Sequence, residues 1–213
     1  MTDVGAQPDW QVLLIGGSAG VGKSRAAKML AQRFGVSLMM ADDVRLALQQ
    51  MTTPTSHPEM HVLSARPSEQ LTPEDIRDGL IRIANALSPA LEMICAHHVA
   101  VAGAGKLIIE GDTLLPRMAA ERQHSQLKYF ADLTTHDEIR AVFLTEPDEK
   151  ALLEQMREFS IGFSALKAVD QERIVRASWL YGQWLAQEAD AYGVPVVPVR
   201  PWDTLIERVI GSY

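Results

Sequence analysis

The chain has 213 residues, 47% of them hydrophobic, with a net charge of −7 and a pI near 5.4. That length suits one well-buried domain, or a domain with an inserted lid, and the negative balance argues against a general nucleic-acid or anionic-membrane binder, because those need a basic surface field. Cys95 is the only cysteine, which excludes an intrachain disulfide and fits a reducing cytoplasm; residues 1–10 carry no signal-peptide pattern, and no apolar run reads as a membrane span.

The first predicted strand is Val12-Leu13-Leu14-Ile15. It feeds Gly16-Gly17-Ser18-Ala19-Gly20-Val21-Gly22-Lys23-Ser24, in which residues 17–24 fit G-x-x-x-x-G-K-[ST], and Ala26, Ala27, Leu30 and Ala31 then recur at helical spacing up to Gly35. A strand, a glycine-rich turn and a helix form the context that separates a phosphate-cradling loop from a chance match. Gly17, Ser18, Ala19, Gly20, Val21 and Gly22 offer backbone N–H groups as an anion nest, reinforced by the helix N-terminus. Lys23 is expected to reach the β- and γ-phosphates of a nucleotide and the Ser24 hydroxyl to ligate Mg²⁺, with Arg25 counted among the nucleotide-binding residues.

A second strand over residues 36–40 ends at Ala41-Asp42-Asp43-Val44-Arg45, after which Val44, Ala47, Leu48 and Met51 predict a helix. In open parallel sheets the carboxyl ends of strands face the ligand crevice, so Asp42 and Arg45 are expected near the phosphates; the plainer role for Asp42 is a helix cap. Residues 52–72 are polar, carry Pro54, Pro58 and Pro67, and read as a loop without a core of its own that could cover a substrate. Pro58 separates His57 from His61 and disfavours a shared metal site. Thr72-Pro73-Glu74-Asp75 opens a helix, with Thr72 as its cap, and Ser88-Pro89 either kinks that helix or starts another.

The third strand, Leu107-Ile108-Ile109, ends in Glu110-Gly111-Asp112. An apolar run closed by an acid suits a Mg²⁺ shell, and Glu110 and Asp112 both qualify as metal residues while either could contact substrate. Arg117, in the first turn of the next helix, is a substrate-binding candidate or an ordinary surface cation. The fourth strand covers residues 139–144. Residues 157–173 form a candidate lid, flanked by Arg157, Arg173 and Arg176, of which Arg157 is the catalytic candidate because mobile cations neutralise a transferring phosphoryl group. A long helix runs over residues 171–192, with Trp179 and Trp184 as packing residues. The fifth strand, residues 194–199, has the prolines of an edge strand, and Trp202 just beyond it is placed to border an adenine.

Five strands alternating with helices predict an α/β fold with a doubly wound parallel sheet. The phosphate loop, Asp42-x-x-Arg45, Ile109-Glu110-Gly111-Asp112 and Tyr192-Gly193-Val194-Pro195-Val196 resemble P-loop kinases of small molecules. Within that group the chain is most similar to 2-phosphoglycerate kinase-like proteins, and more distantly to chloramphenicol phosphotransferases and zeta-toxin-like kinases. The resemblance implies a nucleoside-kinase-like, five-stranded sheet of order 2-3-1-4-5 with a short lid before the fifth strand. It implies too that Asp42 orients or deprotonates an accepting hydroxyl and that Arg45 binds a polar or anionic substrate group.

The expected activity is ATP- and Mg²⁺-dependent phosphoryl transfer to a hydroxyl of a small molecule, with Asp42, Arg45, Asp112 and Arg117 on the acceptor side. No nucleic-acid or membrane partner is expected, and a homodimer is allowed. A guanine-reading Asn-Lys-x-Asp element is absent, which argues against a GTPase, and the third strand lacks the Asp-Glu ending of a mechanical ATPase. The rival reading is a regulatory or toxin-like nucleotide binder with weak ATPase activity.

Overall fold

In the computed structural model, which describes residues 8–101, 103–120 and 138–213, the apolar runs pair into a parallel sheet. Its strands are β1 (Val12–Gly16), β2 (Ser37–Met40), β3 (Leu107–Glu110), β4 (Ile139–Thr145) and β5 (Val196–Pro198), in the order β2-β3-β1-β4-β5. This is the α/β, nucleoside-kinase-like arrangement that the resemblance implied. The helices are α1 (Lys23–Phe34), α2 (Ala41–Met51), α3 (Pro73–Ala100), α4 (Arg117–Ala120), α5 (Glu149–Phe159), α6 (Ala168–Ala191) and α7 (Leu205–Ile210).

β1 is buried along its whole length, as a central strand covered on both faces must be. Successive side chains alternate between the two layers. Val12 and Leu14 join Ile109, Phe143, Leu87, Leu91 and Tyr181 on the α3/α6 face, whereas Leu13 and Ile15 join Ile108, Val142, Ala27, Leu30 and Leu152 on the α1/α5/α7 face. Register then does the positioning. Ile15 and Met40 both stand opposite Glu110, so the phosphate loop, the start of α2 and the Glu110–Asp112 turn leave the sheet side by side. Gly111 N–H closes the row by donating to Ile15 O at 3.2 Å.

Three expectations need correction, and one alternative, the capping role of Asp42, falls away. Residues 52–72 are not an open loop: they fold into 3₁₀ turns at Pro58–Ser64 and Ser68–Gln70, bury Met60 and Leu71, and pack on α3, where a Cβ at Gly79 would lie 2.3 Å from Leu63. The second half of the expected lid, from Ala168 onward and including Gln171, already belongs to α6, and only residues 160–167 of that stretch form a turn between helices. Asp42 is not a helix cap, because Met40 holds that position without a side-chain hydrogen bond. Finally, α3 is a single 28-residue helix running through Pro89, with the length and apolarity of a membrane span. Its stripe of Ile83, Leu87, Leu91 and Cys95 is instead buried in the protein, mainly against α6. Thr72 starts this helix as expected, in a capping box with Asp75 worth about 1 kcal/mol. Residues 1–7, most of the stretch read for a signal peptide, lie outside the described residues.

Candidate nucleotide and acceptor site

The turn from β1 into α1 is set by glycines in conformations closed to other residues. Gly17 has φ 138° and Gly22 φ 83°, and a Cβ on Gly22 would stand 2.3 Å from the Trp202 ring. With the chain curled this way, three successive loop carbonyls are held by side-chain donors. Lys23 Nζ donates to Ser18 O at 2.9 Å, Ser178 Oγ to Ala19 O at 2.6 Å, and Gln155 Nε2 to Gly20 O at 2.6 Å. Carbonyls engaged on the protein side leave the loop N–H groups for an anion, so α5 and α6 brace the nest from behind.

Ser24 begins the metal side. Its Oγ donates to Glu110 Oε1 at 2.8 Å, and Glu110 is only 4% exposed at the end of β3. Two oxygen donors at a hydrogen-bond separation, next to a phosphate nest, fit a hard cation such as Mg²⁺ that takes its other ligands from phosphate and water. The described residues contain no cluster of three or more His, Cys, Asp or Glu side chains able to hold a metal alone.

Asp112 lies past the end of β3 rather than on it. Burial pushes its carboxyl above the ordinary aspartate range; the Lys23 ammonium opposes that push, Asp42 adds to it and Arg45 opposes it. Lys23, Asp42, Arg45 and Asp112 thus stand within electrostatic reach of one another. Asp42 accepts from Arg45 Nε at 3.0 Å, and both side chains are partly exposed. Arg45 continues to Gln49, whose Nε2 donates to Met60 O at 2.7 Å, which ties the 58–64 turn to α2. Tyr181 OH donates to Asp112 O at 2.7 Å and fixes this turn from α6.

On the opposite flank a cavity of about 270 Å³ opens beside the loop, lined by Gly22, Arg25, Gln155, Phe159 and Trp202 among others. Arg25 stands over the Trp202 ring, 5.4 Å from its centroid. The remaining expected residues are not drawn in. Arg117 Nη1 donates to Asn85 on α3, and Arg157 Nε donates to Gln171 Oε1 at 2.8 Å across the short turn. Arg173 and Arg176 pair with Asp170 and Glu149. Gln155, Ser178, Tyr181 and Phe159 are site residues that sequence reasoning misses, although a glutamine on the stripe Leu152-x-x-Gln155-Met156 is a usable signal, because buried polar groups need partners.

With this geometry established, comparison with known proteins places the isopentenyl transferase family over residues 10–168. No curated protein matches the chain. Among solved structures, a gluconokinase from Sinorhizobium meliloti 1021 is 14% identical with a TM-score of 0.48, covering 97% of this chain and 93% of its own. A shikimate kinase from Bacteroides thetaiotaomicron is 12% identical with a TM-score of 0.48, covering 94% and 96%. A deoxyadenosine kinase from M. mycoides is 15% identical with a TM-score of 0.47, covering 94% and 97%.

Proposed function

We propose that this chain, which belongs to the isopentenyl transferase family, is an ATP-dependent kinase that transfers a phosphoryl group to a hydroxyl of a small molecule. The observation that carries the reading is the arrangement of one crevice: a ring-sized cavity at Trp202 on one flank of the phosphate loop, and the Asp42–Arg45–Asp112 cluster on the other. A nucleotide with its base at Trp202 and its phosphates in the loop would present its last phosphorus toward Asp42.

The roles follow from chemistry. The loop N–H groups and Lys23 hold the phosphates, and Lys23 exchanges its bond to Ser18 O for a phosphate oxygen. Ser24 and Glu110 would hold Mg²⁺, which supplies positive charge against the developing negative charge. Asp42 accepts a hydrogen bond from the acceptor hydroxyl and takes its proton as the oxygen attacks the terminal phosphorus, whose bond to the bridging oxygen breaks so that ADP leaves. Arg45 keeps that carboxylate aimed and meets a polar or anionic group of the acceptor, beside Asp112. Arg157 would join the phosphates by leaving Gln171, and Arg117 the acceptor by leaving Asn85. Acceptors of the 2-phosphoglycerate type, sugars and antibiotic alcohols suit this set, in a cytoplasmic setting.

The family match favours a second reading. The same loop would grip the diphosphate of an isopentenyl-type donor, with Asp42 again taking a proton from the acceptor. One assay separates the two. The protein is incubated with Mg·ATP and a panel of small alcohols, and in parallel with a prenyl diphosphate and candidate acceptors, and products are read by mass. A phosphorylated alcohol supports the kinase. Prenylated product alone overturns it, and phosphate release without any phosphorylated acceptor points to a regulatory ATPase.

A further inference from the structure

From the end of β5 the chain reaches Trp202 through Pro198 and Pro201, neither of which has an N–H with which to tie the segment down. Its carbonyls are gathered instead by one side chain. Arg208, on α7, donates from Nη1 to Pro198 O and from Nη2 to Val199 O at 3.4 Å and Pro201 O at 2.8 Å, while its Nε donates to Thr204 Oγ1 at 3.2 Å. That hydroxyl donates in turn to Pro201 O at 3.3 Å. The helix carrying Arg208 is itself anchored, because Leu205 and Val209 are buried in the same layer as Ala27 and Leu30 of α1. Arg200 fastens the segment from another side, donating from Nε to the buried Glu146 carboxylate at 2.7 Å.

What this frame presents is Trp202. Its ring is half-buried, stands so close to the phosphate loop that Gly22 has no room for a Cβ, and lines the cavity together with Arg25 and Phe159. An indole offers a face on which any nucleobase can stack, and the contact is strongest when the ring is already in place, because a wandering ring would lose part of the stacking energy to its own ordering. Resting on the nucleotide reading above, we propose that Arg208 is a positioning residue: its guanidinium holds the turn over residues 198–204 so that Trp202 is preset as the stacking wall for the nucleotide base. A guanidinium suits the task because its N–H donors are fixed in one planar fork, whereas a lysine ammonium is a point charge on a flexible stem. Arg208 acts through Trp202 and does not line the cavity itself.

The test compares Mg·ATP with magnesium tripolyphosphate, which has the phosphates and no base, by calorimetric titration. Wild type is expected to bind ATP tighter by about tenfold, the scale of one stacked base. Trp202→Ala brings the ratio near one by removing the wall and Arg208→Leu by freeing it, while tripolyphosphate binds to both as to wild type. Arg33→Leu, which cuts the neighbouring tie between α1 and Glu207 of α7, keeps the wild-type ratio. A merely structural role for Arg208 would weaken both ligands together. That result, an unchanged ratio in Arg208→Leu or Trp202→Ala, or a ratio lowered as far in Arg33→Leu, overturns the assignment. Equal binding of ATP and tripolyphosphate by wild type overturns it too and leaves the phosphate-loop reading intact, whereas binding of neither overturns both. Should Arg208→Leu not fold, Arg208→Lys keeps the charge without the planar fork: a ratio near one supports the clamp, and the wild-type ratio overturns it.

Discussion

Ser24 and Glu110, 86 positions apart in the chain, meet through a 2.8 Å hydrogen bond between hydroxyl and carboxylate. The contact joins the first turn of α1 to the end of β3 and defines where a cation would enter. Replacing the carboxylate in Glu110→Gln keeps the shape and removes the charge. Turnover is expected to fall by about two orders of magnitude, with a larger Mg²⁺ requirement. A magnesium titration of activity checks it, and an unaltered half-saturation point would remove Glu110 from the metal shell.

Lys23 is 8% exposed and donates its ammonium to Ser18 O. Lys23→Met is expected to lower turnover by roughly 10²–10³, the scale for losing one preorganised charge-stabilising group. Single-turnover kinetics with Mg·ATP measure it. Full activity would mean that the loop holds no phosphate.

Asp42 bonds to Arg45 and lies in the field of Asp112. Asp42→Asn should retain ATP binding while transfer drops about 10²–10⁴-fold, the span of general-base contributions. Parallel measurement of nucleotide affinity and turnover decides it, and equal losses in both would assign Asp42 to nucleotide binding instead.

Asp112 is held above the ordinary aspartate range by burial. Above that raised value its carboxylate is ionised in both states, and the native state alone bears the cost of burying it. Below the unfolded value, about 3.9, it is protonated in both and the cost vanishes. Stability linked to this group is therefore lost as pH rises through the native value. Asp112→Asn is expected to raise the Tm at pH 7, with the gain shrinking as pH is lowered toward 4. Thermal melts across that range test the sign, and a gain independent of pH would show that charge burial is not its source.

Cys95 is 2% exposed in the α3 stripe, and burial pushes its thiol up to about 12. A thiolate is the reactive form, so a disulfide reagent at a pH of about 8 should leave the folded protein untouched and label it on unfolding in urea. Rapid labelling of the native protein would contradict the packing of α3 against α6.

Much of this fold is local in origin and so is legible in the chain. β1 is a continuous apolar run, the glycines before Lys23 have one structural use, and the Thr72 capping box spans only four residues. Other stretches hide their structure. The histidine- and proline-bearing segment after Met51 has the composition of a loop because its anchors, Met60 and Leu63, only show their worth once α3 lies beside them. Part of the stretch from 157 to 173 is helix where its composition suggests a loop, because the helix start at Ala168 has no side-chain cap to announce it.

The sequence by itself determined that a strand, a glycine nest and a helix occur in succession, since φ restrictions and hydrophobic periodicity act over a few residues. Only the tertiary structure decided which distant groups share the crevice: that Glu110 meets Ser24 while Asp112 lies in the field of Asp42, and that Gln155 and Ser178 grip the loop from behind. The reason is physical. Strand register sets which carboxyl ends stand abreast, and register is a property of the assembled sheet rather than of any one segment.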